Sequence, residues 1–335
     1  ITQEFEKKLG KYLGVSHVVA TTSGSVALLM ALMAWEIGPG DAVFTSPFTF
    51  IATAEVIQLL GAKPVFVDID EKTFNIDPEK LEQEIVRIQR ENQFNPKAII
   101  PVDLFGLPAD YFKIESIATK HGLFLLEDAA QSFGGSIGEK MAGSFGDMAA
   151  TSFFPAKPLG CYGDGGAIFT NNDLIAEKLI SIRIHGKGEN KYDNVRIGIN
   201  GRLDTFQAAI LLGKLTIFPS EFEMRNLVAS QYTEKLLDKV VTPFIPENYK
   251  SVWAQYSVLT ESSEHREQIQ KILQTQGIPT AIYYPKPLHL QMAFNELEHR
   301  KGDFQVSESV SDRILSLPMH PYLSESDIDK ITRLI

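Results

Sequence analysis

The sequence predicts an α/β protein: a large domain with a mostly parallel central sheet flanked by helices, then a smaller C-terminal α+β domain. Three observations predict it. Strand-like and helix-periodic segments alternate through the first two-thirds of the chain, and each helix-to-strand join falls near a Gly or Pro. The pattern changes after an apolar run that ends near Pro219.

The elements follow in order. His17–Thr22 is a short β-rich run, followed by an apolar helix over Ser25–Ile37 and a turn at Gly38-Pro39-Gly40-Asp41. Ala42–Ser46 reads as a strand, Thr53–Leu60 as a helix and Lys63–Asp68 as the next strand. Asp77–Arg90 is a helix capped by Asp77, with Pro78 at its first position. A strand over Ala98–Val102, a helix over Ile114–His121 and a strand over Leu123–Glu127 continue the alternation. Such βαβ units build a sheet that binds ligands beyond the carboxyl ends of its strands. Leu203–Leu215 is apolar nearly all round and reads as a buried helix. The domain boundary is expected after it, giving residues 1–219 and 220–335. The second part carries a helix near Met224–Leu237, a strand near Val252–Leu259, a helix near His265–Gln276 and a final helix from about Ser324.

Composition narrows the function. The 335 residues are 44 % hydrophobic and 22 % charged, enough to bury a large core and unlike a disordered chain. The net charge of −10 argues against a nucleic-acid partner. No apolar run is long enough to span a membrane, and no signal peptide is visible. The lone cysteine, Cys161, forms no internal disulfide and fits a reducing cytoplasm; it reads as a packed small residue. No His/Cys/Asp cluster has metal-ligand spacing. No G-x-G-x-x-G follows a strand, which places a dinucleotide-dependent dehydrogenase last.

Three motifs carry chemistry. In Thr151–Thr170, TSFFPAKPLGCYGDGGAIFT, a single lysine, Lys157, stands between two prolines, ahead of Gly160, Gly163, Gly165 and Gly166. Composition alone reads this as a tight surface loop with a solvated lysine. In Leu123–Ser132, LFLLEDAAQS, an apolar strand ends in Glu127-Asp128, where a buried carboxylate needs a partner. In Thr21–Ala27, TTSGSVA, a strand turns into a helix whose free N–H groups make a phosphate cradle or an ordinary cap by Ser23. Together they offer a lysine, an acid, phosphate donors and a flat ring, the parts that a pyridoxal 5'-phosphate (PLP) site requires.

At these residues the chain resembles the DegT family, the sugar-aminotransferase branch of fold type I PLP enzymes, over essentially its whole length. The resemblance implies a fold type I PLP-transferase. It matches Lys157 to the lysine that holds the cofactor, Asp128 to the partner of the ring nitrogen and Gln131 to the residue near the ring hydroxyl. Ser152, with Gly24, Ser25 and Val26, matches the phosphate site, and Phe50 the ring-stacking aromatic. Asn200 matches a residue that reaches the phosphate of the neighbouring subunit, which implies a homodimer with shared active sites.

The family's activity would move an amino group from an amino acid, L-glutamate first, to a nucleotide-linked keto-sugar. The run Leu159–Gly166 resembles enzymes that aminate carbon 3 of UDP-2-acetamido-2-deoxy-3-oxo-glucuronate for surface polysaccharides, lipopolysaccharide included. Amination at carbon 4 and a non-catalytic PLP- or sugar-binding regulator are the alternatives. Arg202 is the candidate for an anionic group of the substrate, against a surface ion pair with Asp204. His185, Tyr283, Tyr284 and His320 are further substrate candidates. Tyr283 stands where close relatives carry His. The chain opens on Ile1, and family members normally have a segment before that point.

Overall fold

The structure, a computed structural model, describes residues 1–190 and 192–335. Its elements are α1 (Thr2–Leu13), β1 (His17–Thr21), α2 (Gly24–Ala34), β2 (Asp41–Thr45), α3 (Ala52–Leu59), β3 (Lys63–Phe66), α4 (Pro78–Glu91), β4 (Asn95–Ile100), α5 (Tyr111–His121) and β5 (Phe124–Asp128). They continue with β6 (Ser136–Ile137), β7 (Lys140–Met141), β8 (Met148–Ser152), β9 (Gly166–Thr170), α6 (Asp173–Arg183) and α7 (Thr205–Leu236). The last are β10 (Tyr249–Lys250), β11 (Tyr256–Leu259), α8 (Ser263–Thr275), α9 (Gln305–Arg313), β12 (Ile314–Leu317) and α10 (Glu325–Leu334).

The main sheet has seven strands in the order β1-β9-β8-β5-β4-β2-β3. Only β9 runs against its neighbours, so the mostly parallel sheet predicted from the alternation is present. Successive strand residues point to opposite faces, and both faces are buried. Val19, Val43, Leu126 and Ile168 pack under α2, α3 and α6. Phe44 and Leu125, next in register, pack under α4 and α5, while Ala20 and Phe169 pack under α1 and α7. Asp77 caps α4, accepting the N–H groups of Glu79 and Lys80.

Four details depart from the sequence reading. Pro219 lies inside α7, a single helix of 32 residues, so the break expected there is absent. The first half of α7 is not buried all round: Phe206 is 84 % exposed, while Ala208 and Leu211 reach the core. The strand expected from Val252 begins at Tyr256, because Trp253 has φ 55°, which no strand accommodates. Helices α1, α6 and α9, the sheet strands β8 and β9, and the short strands β6, β7, β10 and β12 lay outside the elements read from the sequence.

The C-terminal part has its own core, where α8, α10 and the end of α7 pack on the β11–β12 pair. It is also woven into the large part. β10 pairs with β6, and Leu288, Phe294 and Phe304 pack against Ala54 and Phe66.

Candidate active site

β1, β2, β4, β5 and β8 all point the same way, so their carboxyl ends share one edge of the sheet. That edge gathers the candidate residues. Asp128 ends β5, Ser152 ends β8, and α2 starts just past β1.

Asp128 is buried. Its Oδ2 accepts the Thr53 hydroxyl at 2.7 Å, and Oδ1 accepts the Ala130 N–H at 3.1 Å. Burial nevertheless holds this carboxyl above the usual aspartate range, against the pull of those donors and of the Lys157 charge. Lys157 sits in the loop between β8 and β9, where its N–H donates to the Phe154 carbonyl at 2.8 Å. The residue as a whole keeps some surface, but its amine end is taken from water. Desolvation lowers its pKa, and the nearby Asp128 charge opposes that shift. The solvated surface lysine that composition alone favoured is therefore not what the fold builds.

The turn into α2 supplies the third part. Ser23 caps the helix, accepting the Val26 N–H at 3.2 Å. The amides of Gly24 and Ser25, in the first turn, have no partner within the helix. Glycine is required at 24: a Cβ there would meet Ser152 Cβ at 2.7 Å. Gly166 is needed for the same reason, since a Cβ would lie 2.5 Å from the Ser23 carbonyl carbon. The helix start, Ser152 and β9 thus close on one another.

Gln131 is buried; its Oε1 accepts the Phe105 N–H at 2.9 Å, and its Nε2 donates to the Tyr284 hydroxyl at 3.4 Å. Tyr284 packs edge-on against Phe48, and burial holds its phenol well above the usual tyrosine range, with the Asp128 charge adding to the shift. Phe50 stands 55 % exposed just before α3. Tyr283 is partly exposed beside Tyr284.

Of the remaining candidates, Arg202 lies beside this group and Asn200, His185 and His320 sit at the surface. Asn200 is exposed, held by a backbone bridge to Ile184. Arg202 is exposed and bridged by its backbone to Thr21, beside the start of α2; among the described residues it makes no ion pair, so the pairing with Asp204 does not form. His185 is an exposed turn residue with φ 62°, its N–H bonded to Ile199 and its carbonyl to Asn194. His320 is exposed in the turn before α10, where Nδ1 accepts the Tyr322 N–H at 3.2 Å. Neither histidine touches Asp128, Gln131 or Lys157. Thr53 was missed by the sequence reading, though a hydroxyl on the buried face of an apolar helix was a signal for it.

Residues 1–335 match the DegT/DnrJ/EryC1/StrS aminotransferase family. The chain belongs to this family. A Pseudomonas aeruginosa relative, named UDP-2-acetamido-2-deoxy-3-oxo-D-glucuronate aminotransferase, is 46 % identical across 97 % of this chain and 87 % of its own. The crystal structure of a DegT/DnrJ/EryC1/StrS aminotransferase from Brucella abortus superposes with a TM-score of 0.96 at 56 % identity, over 99 % of this chain and 88 % of that one. A Bacillus subtilis structure titled as NtdA with bound cofactor PMP gives a TM-score of 0.88 at 30 % identity, over 99 % of this chain and 75 % of that one.

This DegT-family aminotransferase uses PLP, and its residues fit that group. A helix start that only glycine can bring against Ser152 offers free amides to a phosphate. A buried carboxylate and a desolvated amine lie within electrostatic reach of each other, as a charged ring nitrogen and a carbonyl carbon require. Among the described residues no cluster able to hold a metal is present, and no helix is long and apolar enough to cross a membrane.

Proposed function

We propose that this aminotransferase moves an amino group from L-glutamate to carbon 3 of a nucleotide-linked keto-sugar, UDP-2-acetamido-2-deoxy-3-oxo-glucuronate, in the synthesis of surface polysaccharide, lipopolysaccharide among them. The observation that carries the reading is that buried Asp128 and the desolvated amine of Lys157 feel each other's charge at the carboxyl ends of the strands. The name of the 46 % identical Pseudomonas relative supports the sugar.

When bound, PLP supplies a carbon that carries the amino group and a ring that accepts an electron pair. The chain's own groups do the rest. Asp128, ionised, holds a proton on the ring nitrogen. Lys157 Nζ would hold the cofactor, and as a free amine it would be the base that takes and returns the substrate's proton. Its depressed pKa suits that task. Gly24, Ser25, Val26 and Ser152 would take the phosphate, Phe50 would cover the ring, and Gln131 would meet the ring hydroxyl. Arg202, unpaired beside the phosphate end, takes the sugar carboxylate or the diphosphate. Tyr283 and Tyr284 border the sugar. His185 and His320 are the remaining candidates for the substrate.

The working unit is a cytoplasmic homodimer. Tyr162 is 75 % exposed and lies on the first half of α7, its N–H bonded to Gln207 beside exposed Phe206. Apolar rings in this density next to a catalytic loop suit a partner subunit, with Asn200 reaching across. Residues 1–219 serve as the cofactor part and 220–335 as the smaller part.

The test is a two-stage incubation. Holoenzyme with L-glutamate alone should release 2-oxoglutarate; adding the UDP-3-keto-sugar should yield an amine whose position NMR places at carbon 3. An amine at carbon 4 favours the alternative sugar. No 2-oxoglutarate points to a regulator.

A further inference from the structure

Behind Asp128 lies a second set of buried carboxyls that the chemistry above leaves unused. Asp103, just past β4, and Glu127, in β5, are both fully buried. Asp103 Oδ1 accepts the Tyr111 hydroxyl at 2.8 Å and the Ala109 N–H at 2.9 Å, and Oδ2 accepts the Ser132 hydroxyl at 2.6 Å. Glu127 accepts the N–H groups of Gly143 at 2.7 Å and Phe145 at 2.8 Å, and it is hydrogen-bonded to Asp103. Two adjoining carboxyls in such a site do not both ionise. Burial, with the Asp103 charge beside it, pushes Glu127 up, and burial pushes Asp103 up to about 6, so the pair carries a single negative charge.

The charge so held closes a clamp. Segment 103–105 runs alongside segment 128–132. The Asp103 N–H donates to the Asp128 carbonyl at 3.1 Å, the Asp103 carboxylate takes the Ser132 hydroxyl, and the Phe105 N–H donates to Gln131 Oε1. The last contact fixes the polarity of the Gln131 amide. With a backbone donor on its oxygen, its NH2 end is the one turned toward Tyr284.

We propose that Asp103 is a positioning residue of the transamination site: with Glu127 and Ser132 it clamps segment 128–132 and so sets where Asp128 and Gln131 meet the cofactor ring. This rests on the roles given above to Asp128 and Gln131. A buried polar network with no other duty would move stability alone; a clamp also moves the chemistry.

The experiment uses holoenzyme and four variants. Ser132→Ala removes one donor from the clamp, and Asp103→Asn removes its charge. Asp68→Asn loosens the start of α9, whose Val306 and Ser307 amides Asp68 accepts, and touches none of the clamp. Lys157→Ala tests the site itself. Ser132→Ala and Asp103→Asn are expected to lower kcat of the glutamate half-reaction roughly 10- to 100-fold at unchanged KM. They are also expected to shift the pH midpoint of the cofactor's visible band. Asp68→Asn should lower Tm and leave both readouts where they were. If Ser132→Ala and Asp103→Asn lower Tm only, the clamp is overturned. Should Asp103→Asn not fold, Ser132→Ala decides. Loss of the visible band in Lys157→Ala with no change in Ser132→Ala sinks the clamp alone; a band that survives in Lys157→Ala sinks the site assignment and the clamp with it.

Discussion

Gly24 and Ser152 are so close that a methyl group on Gly24 would sit 2.7 Å from the Ser152 Cβ. Both atoms belong to rigid elements, the first turn of α2 and the end of β8, so neither yields cheaply. Gly24→Ala is therefore expected to part the helix start from Ser152 at a cost of about 1–3 kcal/mol. Affinity for PLP should fall accordingly, roughly tenfold to hundredfold. Equilibrium dialysis of the cofactor checks this; unchanged affinity would remove the helix start from the phosphate site.

The Thr53 hydroxyl donates to Asp128 Oδ2 and favours its charged form. Thr53→Val keeps the shape and deletes the donor. The Asp128 carboxyl, already raised by burial, rises further, so the acid limb of the pH–rate profile should move to higher pH. Loss of a hydrogen bond to a charged group, about 1.5–3 kcal/mol, sets the scale, and activity on the acid side should suffer most. A profile that keeps its acid limb contradicts the role of Thr53.

Burial lowers the Lys157 pKa in the apoprotein. The sign follows from linkage. Between the folded and unfolded pKa values the unfolded chain binds more protons, so this group's contribution to stability rises with pH through that window. Apo Lys157→Met should therefore exceed the parent in Tm near neutrality, and the gap should narrow as pH climbs toward the ordinary lysine range. Thermal melts across pH measure it; a constant gap would show that the amine is not desolvated.

Asp77 offers a control at the far side of the molecule. Asp77→Ala removes the α4 cap and should cost about 1 kcal/mol. Activity per folded molecule should not change. An effect on kcat would mean that α4 communicates with the site.

Much of this was legible in the residues. The strand–helix alternation announced the sheet, and TTSGSVA, LFLLEDAAQS and the Pro-Ala-Lys-Pro loop lie at one edge of it. Local pattern had no means of seeing what pairs across distance. Thr53 and Asp128 are 75 positions apart, and Asp103 meets Ser132 across 29. Pro219 misled because proline usually ends a helix, yet tertiary packing on both sides keeps α7 whole. The apolar run from Leu203 read as buried because an apolar face open to the surface and a face turned to a core have the same composition.

That unbroken helix has a mechanical meaning. At 1.5 Å per residue, α7 is a beam about 48 Å long. One end is set among Phe133, Phe153 and Leu159, the other among Tyr256, Leu315 and Ile331. Lys214 and Gln207, on its near half, grip the loop beyond Lys157 through the Gly160 carbonyl and the Tyr162 N–H. The two cores and the Lys157 loop are thus tied to one continuous element.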